Sequence, residues 1–134
     1  MISDIELATS SCPHEFQQGT TASIKEHFDI VLNSRGWVNN VRIDPSINSS
    51  VNFLKSDVAF VIQLGNVARF YADVLKLTHL EQKGVINLGI LAVACNFEAK
   101  LLGANYANYE RVVRELKVFS NVLSYPILVL GLSN

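Results

Sequence analysis

The sequence predicts an α/β fold, a mixed sheet covered by helices, and three observations lead there. Nearly unbroken apolar runs at Val58–Leu64, Val85–Ala94 and Ile127–Leu132 have the character of strands covered on both faces. Amphipathic stretches with helical spacing lie between those runs. Strands and helices alternating in this way require a sheet packed against helices.

The elements follow in order. Met1–Leu7 alternates loosely between apolar and polar residues and predicts a short edge strand, within a peripheral N-terminal segment, residues 1–20. Ser10–Gly19 is polar, contains Pro13 and reads as a loop. Thr20 or Thr21 offers an N-cap, and Ile24, Phe28, Val31 and Leu32 recur at helical spacing over Thr21–Asn33. Gly36 supplies the stop. Trp37–Ile43 alternates as a strand. After the turn-rich Pro45–Ser50, Val51–Leu54 opens a hairpin that turns at Lys55-Ser56-Asp57 and returns through Val58–Leu64.

Gly65-Asn66 opens a second helix. Its apolar stripe is Val67, Phe70, Tyr71, Val74 and Leu75, with Arg69, Asp73 and Lys76 facing away, and it ends at Lys83-Gly84. Val85–Ala94 is the next strand. Phe97–Asn108 reads as a helical turn and a loop. Tyr109, Val112, Val113 and Leu116 mark a third helix. Tyr125-Pro126 breaks the chain before the last strand, Ile127–Leu132. The expected order is β-α-β-β-β-α-β-α-β.

Composition narrows the function classes. The 134 residues, 49% apolar and 17% charged, suit one domain, 1–134, with a sizeable core rather than a disordered chain. The net charge of −1 gives no overall basic excess of the kind a non-specific nucleic-acid binder carries, although a local basic face is compatible with it. Cys12 and Cys95 stand alone, so neither a disulfide framework nor a zinc site is expected, and Cys95 reads as a buried thiol. No signal peptide is apparent and no apolar run reaches the ~20 residues of a membrane span. A cytoplasmic protein without membrane contact is the expectation.

Nucleophilic catalysis has little support. There is no GxSxG elbow, and His14, His27 and His79 are scattered without a tie to either cysteine. Gly65 and Gly84 are isolated turn and cap residues, not a phosphate loop.

Val51–Gly65 is the informative stretch. Two short strands in a hairpin followed by a helix is the layout of metal-dependent nucleases. These place an Asp on the first strand and, on one face of the second, an acidic residue and a Lys or Gln two positions apart. Two carboxylates then bind Mg²⁺, which activates water and stabilises charge on the scissile phosphate.

Several segments in the same order carry a likeness to one family. They are Ile24-Lys25 with Phe28, Gly36-Trp37, Val51-Asn52-Phe53-Leu54-Lys55, and Val58 through Val61-Ile62-Gln63-Leu64-Gly65-Asn66. Gly84-Val85-Ile86-Asn87-Leu88-Gly89-Ile90, Tyr109-Glu110 and Pro126-Ile127-Leu128-Val129 follow. From about Ile24 to Leu132 the chain resembles the BglII-type restriction endonucleases of the PD-(D/E)XK superfamily. The resemblance implies a restriction-endonuclease-like core, a mixed central β-sheet flanked by helices, and a homodimer acting on double-stranded DNA.

It also implies where this chain departs from its relatives. Asn52 stands where the family has its metal-binding Asp, and Val61 stands where it has Glu. Gln63 stands where the family has Gln, and Asn87 where it shows an Asp. Amides and a valine give little to a hard dication. The first expectation is therefore a catalytically inactive homologue that retains DNA or protein binding, with remnant site positions Asn52, Val61 and Gln63, no metal and no cofactor. A different expectation is an active Mg²⁺-dependent DNA endonuclease with relocated ligands, and a third is a structural remnant without a biochemical role. Asp57, at the hairpin turn, is expected to point away.

Each residue also has a plainer reading. Gln63 in an apolar strand hydrogen-bonds buried backbone, and Asn52 is an ordinary strand-edge residue. Lys55, Arg69, Arg111 and Arg114 are the candidate DNA contacts. A turn lysine such as Lys55 is as a rule solvated. Arg111, Arg114 and Lys117 with Glu110 and Glu115 nearby suit a salt-bridged surface better than a phosphate track.

Overall fold

The computed structural model describes residues 1–134. Its elements are α1 (Ile2–Ser10), α2 (Thr21–Ser34), β1 (Val38–Arg42), β2 (Ser50–Lys55), β3 (Val58–Gln63), α3 (Arg69–Gln82), β4 (Leu88–Ala94), α4 (Asn96–Leu102), α5 (Tyr109–Val118) and β5 (Ile127–Leu132). The five strands form one sheet in sequence order. β1, β2 and β3 are antiparallel neighbours, whereas β3, β4 and β5 run parallel. The sheet is mixed and flanked by helices, as expected.

Two cores lie on its two faces. One joins Phe28 and Leu32 of α2 to Trp37, Phe53, Phe60, Ile62 and Ile90, and takes in Ile5 and Ala8 of α1. The other packs Phe70, Val74 and Leu77 of α3 and Val112 of α5 against Val61, Leu91 and Val93. Both parallel connections thus place a long helix on the same face, which the right-handed crossover rule requires. β3 is buried at every position and β4 at all but its first, which explains their unbroken apolar sequence. Gly89 lets Leu77 of α3 pack closely on the start of β4, where a Cβ would stand 3.1 Å from the Leu77 side chain.

Four expectations are corrected. Met1–Leu7 is not an edge strand: Ile2–Ser10 is helix α1, and Asp4, Ile5 and Ala8 turn inward at helical spacing. The inward stripe of α3 is Phe70, Asp73, Val74, Leu77 and Leu80, so Asp73 is buried while Leu75 and Tyr71 are exposed. The strand read from Val85 begins only at Leu88, because Ile86 already fills the core below α3 before pairing starts. Cys95 is half-buried rather than enclosed. The ambiguous Phe97–Asn108 stretch contains α4 and a loop through Gly103.

α1 is held by a polar lock as well as by packing. The Asp4 carboxylate accepts a hydrogen bond from Trp37 Nε1 at 3.0 Å and pairs with Lys55 Nζ at 3.1 Å. Lys55 also donates to the Arg35 carbonyl at 2.7 Å. The Trp37 hydrogen bond, with Lys55 behind it, holds the Asp4 carboxyl below the usual carboxylate range.

Candidate functional site

The hairpin formed by β2 and β3 pairs regularly from its turn only as far as Phe53 opposite Phe60. Beyond that point β2 changes character. Val51 and Phe53, two apart, would share a face in a regular strand. Here Val51 belongs to the core beneath α3, and Phe53 to the core beneath α2. The reversal happens at Asn52. Across from it on β1, between the pairs Asn39–Phe53 and Val41–Val51, Asn40 has a φ of +50°. Asn tolerates that left-handed conformation better than most residues.

With the ladder interrupted, the Asn52 side chain takes over a backbone role: its Oδ1 accepts the Ile62 N–H at 3.0 Å. Asn52 is thus more than a plain strand-edge residue. It clamps the two strands of the hairpin where their main chains have stopped pairing.

Val61 and Gln63 lie on the α3 face of β3, as alternation predicts. Val61 is 3% exposed in the apolar core beneath α3. The Gln63 amide is committed at both ends. Its Oε1 accepts the Gly65 N–H at 2.9 Å, and its Nε2 donates to Asp73 Oδ2 at 2.6 Å. Those two partners also fix the amide orientation, since a flipped amide would set oxygen against carboxylate and N–H against N–H.

Asp73 was not among the candidates read from sequence. It projects from α3 into the core at 4% exposure, 2.6 Å from Gln63 and 3.7 Å from Lys76 Nζ. Burial raises its carboxyl above the ordinary value, against the opposing pull of the Gln63 amide and Lys76. A signal for it did exist: positions 70, 73, 74, 77 and 80 make a better helical stripe than one drawn through Tyr71 and Leu75.

The other candidate positions scatter. Asn87 sits at the turn end of the sheet, where its Nδ2 donates to Asp57 Oδ2 at 2.6 Å. The register pairing Val58 with Leu88 and Gln63 with Val93 keeps it well away from Gln63. Glu98 accepts the Asn134 N–H, and Glu110 is bonded to Asn96. Lys55 belongs to the Asp4 lock rather than standing free in solvent. Arg69 is exposed at the start of α3. Arg111 pairs with Glu115 at 2.6 Å, and Glu115 also accepts the Tyr71 hydroxyl, so this part of α5 is a salt-bridged surface. Arg114 and Lys117 have no acidic side chain within ion-pair distance.

A divalent metal does not fit these residues. The hairpin presents an amide oxygen already holding a backbone N–H, a buried valine, and an amide bonded at both ends. Asp73 is the single carboxylate that reaches Gln63, and nowhere do three His, Cys, Asp or Glu side chains gather as a metal-holding group. No helix is long and apolar enough to cross a membrane.

The fold is that of a known enzyme. The structure of restriction endonuclease BglII complexed with a DNA 16-mer superposes with a TM-score of 0.83. That of free BglII superposes with a TM-score of 0.77. In each case the identity is 16%, and the match covers 99% of this chain and 70% of the other. No curated protein sequence gives a match. The family described as restriction endonuclease BglII/BglIII matches residues 1–132, and the chain belongs to that family.

Proposed function

We propose that this chain is a non-catalytic member of the BglII-type endonuclease family that retains a binding role, with double-stranded DNA as the partner and a homodimer as the working form. The observation that carries the reading is the state of the hairpin. Asn52 is used as a clamp on the Ile62 N–H, Val61 fills the core, and Gln63 is locked between Gly65 and Asp73. A dication needs anionic oxygen atoms that are free to turn toward it, and each of these side chains is committed elsewhere. DNA as the partner, the two-fold assembly and a cytoplasmic location rest on membership of the family. BglII itself has been solved with a DNA 16-mer.

One observation favours a second reading, an active enzyme with a relocated ligand. Asp73 brings a carboxylate from α3 to the Gln63 amide. Against it stand the burial of Asp73 and its raised affinity for a proton, both unfavourable to an ionised metal ligand.

Incubating the purified chain with a mixed DNA pool in Mg²⁺ and in Mn²⁺ separates the two. The non-catalytic reading expects no cleavage in either metal, together with a salt-dependent mobility shift of labelled duplex. Cleavage abolished by Asp73→Asn would establish the second reading. No shift at low salt would remove DNA from the proposal.

A further inference from the structure

β5 ends the sheet, and its outer edge has no partner strand. In its pairing with β4, the Gly89 N–H donates to the Pro126 carbonyl and the Cys95 N–H to the Leu132 carbonyl. In a parallel ladder the N–H and C=O of one residue point to the same side, and sides alternate along the strand. The even-numbered residues therefore face β4, and Ile127, Val129 and Gly131 direct their N–H and C=O groups outward. The strand Ile-Leu-Val-Leu-Gly-Leu carries no charge, no internal proline and no bulge. Those are the devices by which sheet edges are usually protected.

The helices on either side of β5 leave room beside it. On one face, a hollow of about 270 Å³ separates α5 from the strand, floored by Val113, Leu116, Ile127 and Val129. It adjoins a wider one of about 600 Å³ bounded by Tyr109, Glu110, Arg114 and Lys117, in which the Glu110 carboxylate is bonded to Asn96. On the other face, between α1 and β5, Ile2, Ile5, Leu130 and Leu132 line a hollow of about 280 Å³. A strand added at this edge would send alternate side chains to the two faces. Those on the α1 side would meet Ile2, Ile5, Leu130 and Leu132, with Glu6, Thr9 and Ser10 at the rim. Those on the α5 side would meet Arg114 and Lys117, two cations without an ion-pair partner, against the single carboxylate of Glu110.

We propose that β5 takes up an extended peptide segment of a partner protein as a sixth strand, with apolar side chains toward α1 and carboxylates toward Arg114 and Lys117. Charge decides between this occupant and a second copy of the chain. Two β5 edges pairing about a two-fold axis would set two α5 helices side by side on one face and bring together two rims, each carrying Arg114 and Lys117 against a single Glu110 and so each net positive. Such like-charge juxtaposition is unfavourable. An acidic strand turns the same rim into an attraction, and its main-chain bonds satisfy the outward groups of β5.

The test uses a fluorescein-labelled peptide in which valine and glutamate alternate, titrated into the intact chain and followed by anisotropy and amide hydrogen exchange. Binding should slow exchange of the outward N–H groups of Ile127, Val129 and Gly131. Arg114→Glu combined with Lys117→Glu should weaken it by at least about tenfold. A probe N-methylated at alternate residues should not bind. Val129→Pro removes one outward donor without touching a bond to β4, and should also abolish binding. No anisotropy change up to about 1 mM probe, or equal binding of a probe with lysine in place of glutamate, would overturn the proposal. Sedimentation of the free chain as a dimer that Val129→Pro disperses would overturn it in favour of a second copy.

Discussion

Two buried aspartates, at either end of the same hairpin, behave in opposite ways. Asp4 reaches the turn end from α1, and Asp73 reaches the open end from α3. The Asp4 carboxylate meets an indole N–H and a lysine at hydrogen-bond distance, and its proton affinity falls. Asp73 meets a neutral amide, with a lysine at 3.7 Å, and its proton affinity rises because burial outweighs these partners. Burial alone does not decide whether a carboxylate is ionised; the donors that touch it do. For function the contrast has two consequences. Lys55, a candidate DNA contact, is tied into the fold by Asp4. The one carboxylate that reaches Gln63 is the one least suited to hold a cation.

Asp4→Ala should have the largest effect. It leaves the buried Trp37 N–H without an acceptor and Lys55 without its partner. A loss of about 2–3 kcal/mol in unfolding free energy is expected, read from urea denaturation. A loss below about 0.5 kcal/mol would mean that α1 is held by packing alone.

At the other end, Gln63→Leu removes the donor to Asp73 and the acceptor for the Gly65 N–H. The expected cost is about 1–3 kcal/mol by the same measurement. A neutral outcome would show that water replaces the amide and that the site is wetter than its burial indicates.

The two carboxyls should also separate with pH. Asp4 has a folded pKa below its unfolded value, so its contribution is present above the unfolded value and disappears as pH falls through the folded one. Asp73 has a folded pKa above its unfolded value, so its ionisation penalises the fold above the folded value. That penalty disappears as pH falls below the unfolded one. Asp4→Asn should therefore flatten the acid limb of a plot of urea midpoint against pH, and Asp73→Asn should steepen it. The same slope in both variants would contradict the contrast.

The smallest effect is expected from Asp73→Asn at neutral pH. Its Oδ1 still accepts from Gln63, and no charge has to be buried, so stability should rise by up to about 1 kcal/mol. A clear loss would show that the ionised form is needed.

Much of this architecture was legible in the sequence. The nearly unbroken apolar runs of β3 and β4 suit strands covered on both sides, and the resemblance to the BglII-type endonucleases is what singled out Asn52, Val61 and Gln63 on the hairpin. α1 was not legible, because Ile2, Ile5 and Ala8 are too few to separate helical from alternating spacing over so short a stretch. Asp73 was missed for a physical reason: a charged residue inside an amphipathic helix is assigned to solvent unless its partner is known. That partner, Gln63, comes from a strand ten residues earlier. The reversal of faces at Asn52 has no sequence signature beyond the pair of asparagines, Asn40 and Asn52, that make it.

Whether the hairpin can hold a divalent ion is read by calorimetric titration of Mn²⁺ into the natural chain and into the double variant Asn52→Asp with Val61→Glu. No heat of binding is expected for the natural chain, and measurable uptake once the two carboxylates are restored. Stoichiometric Mn²⁺ binding by the natural chain, lost on Asp73→Asn, would contradict that expectation.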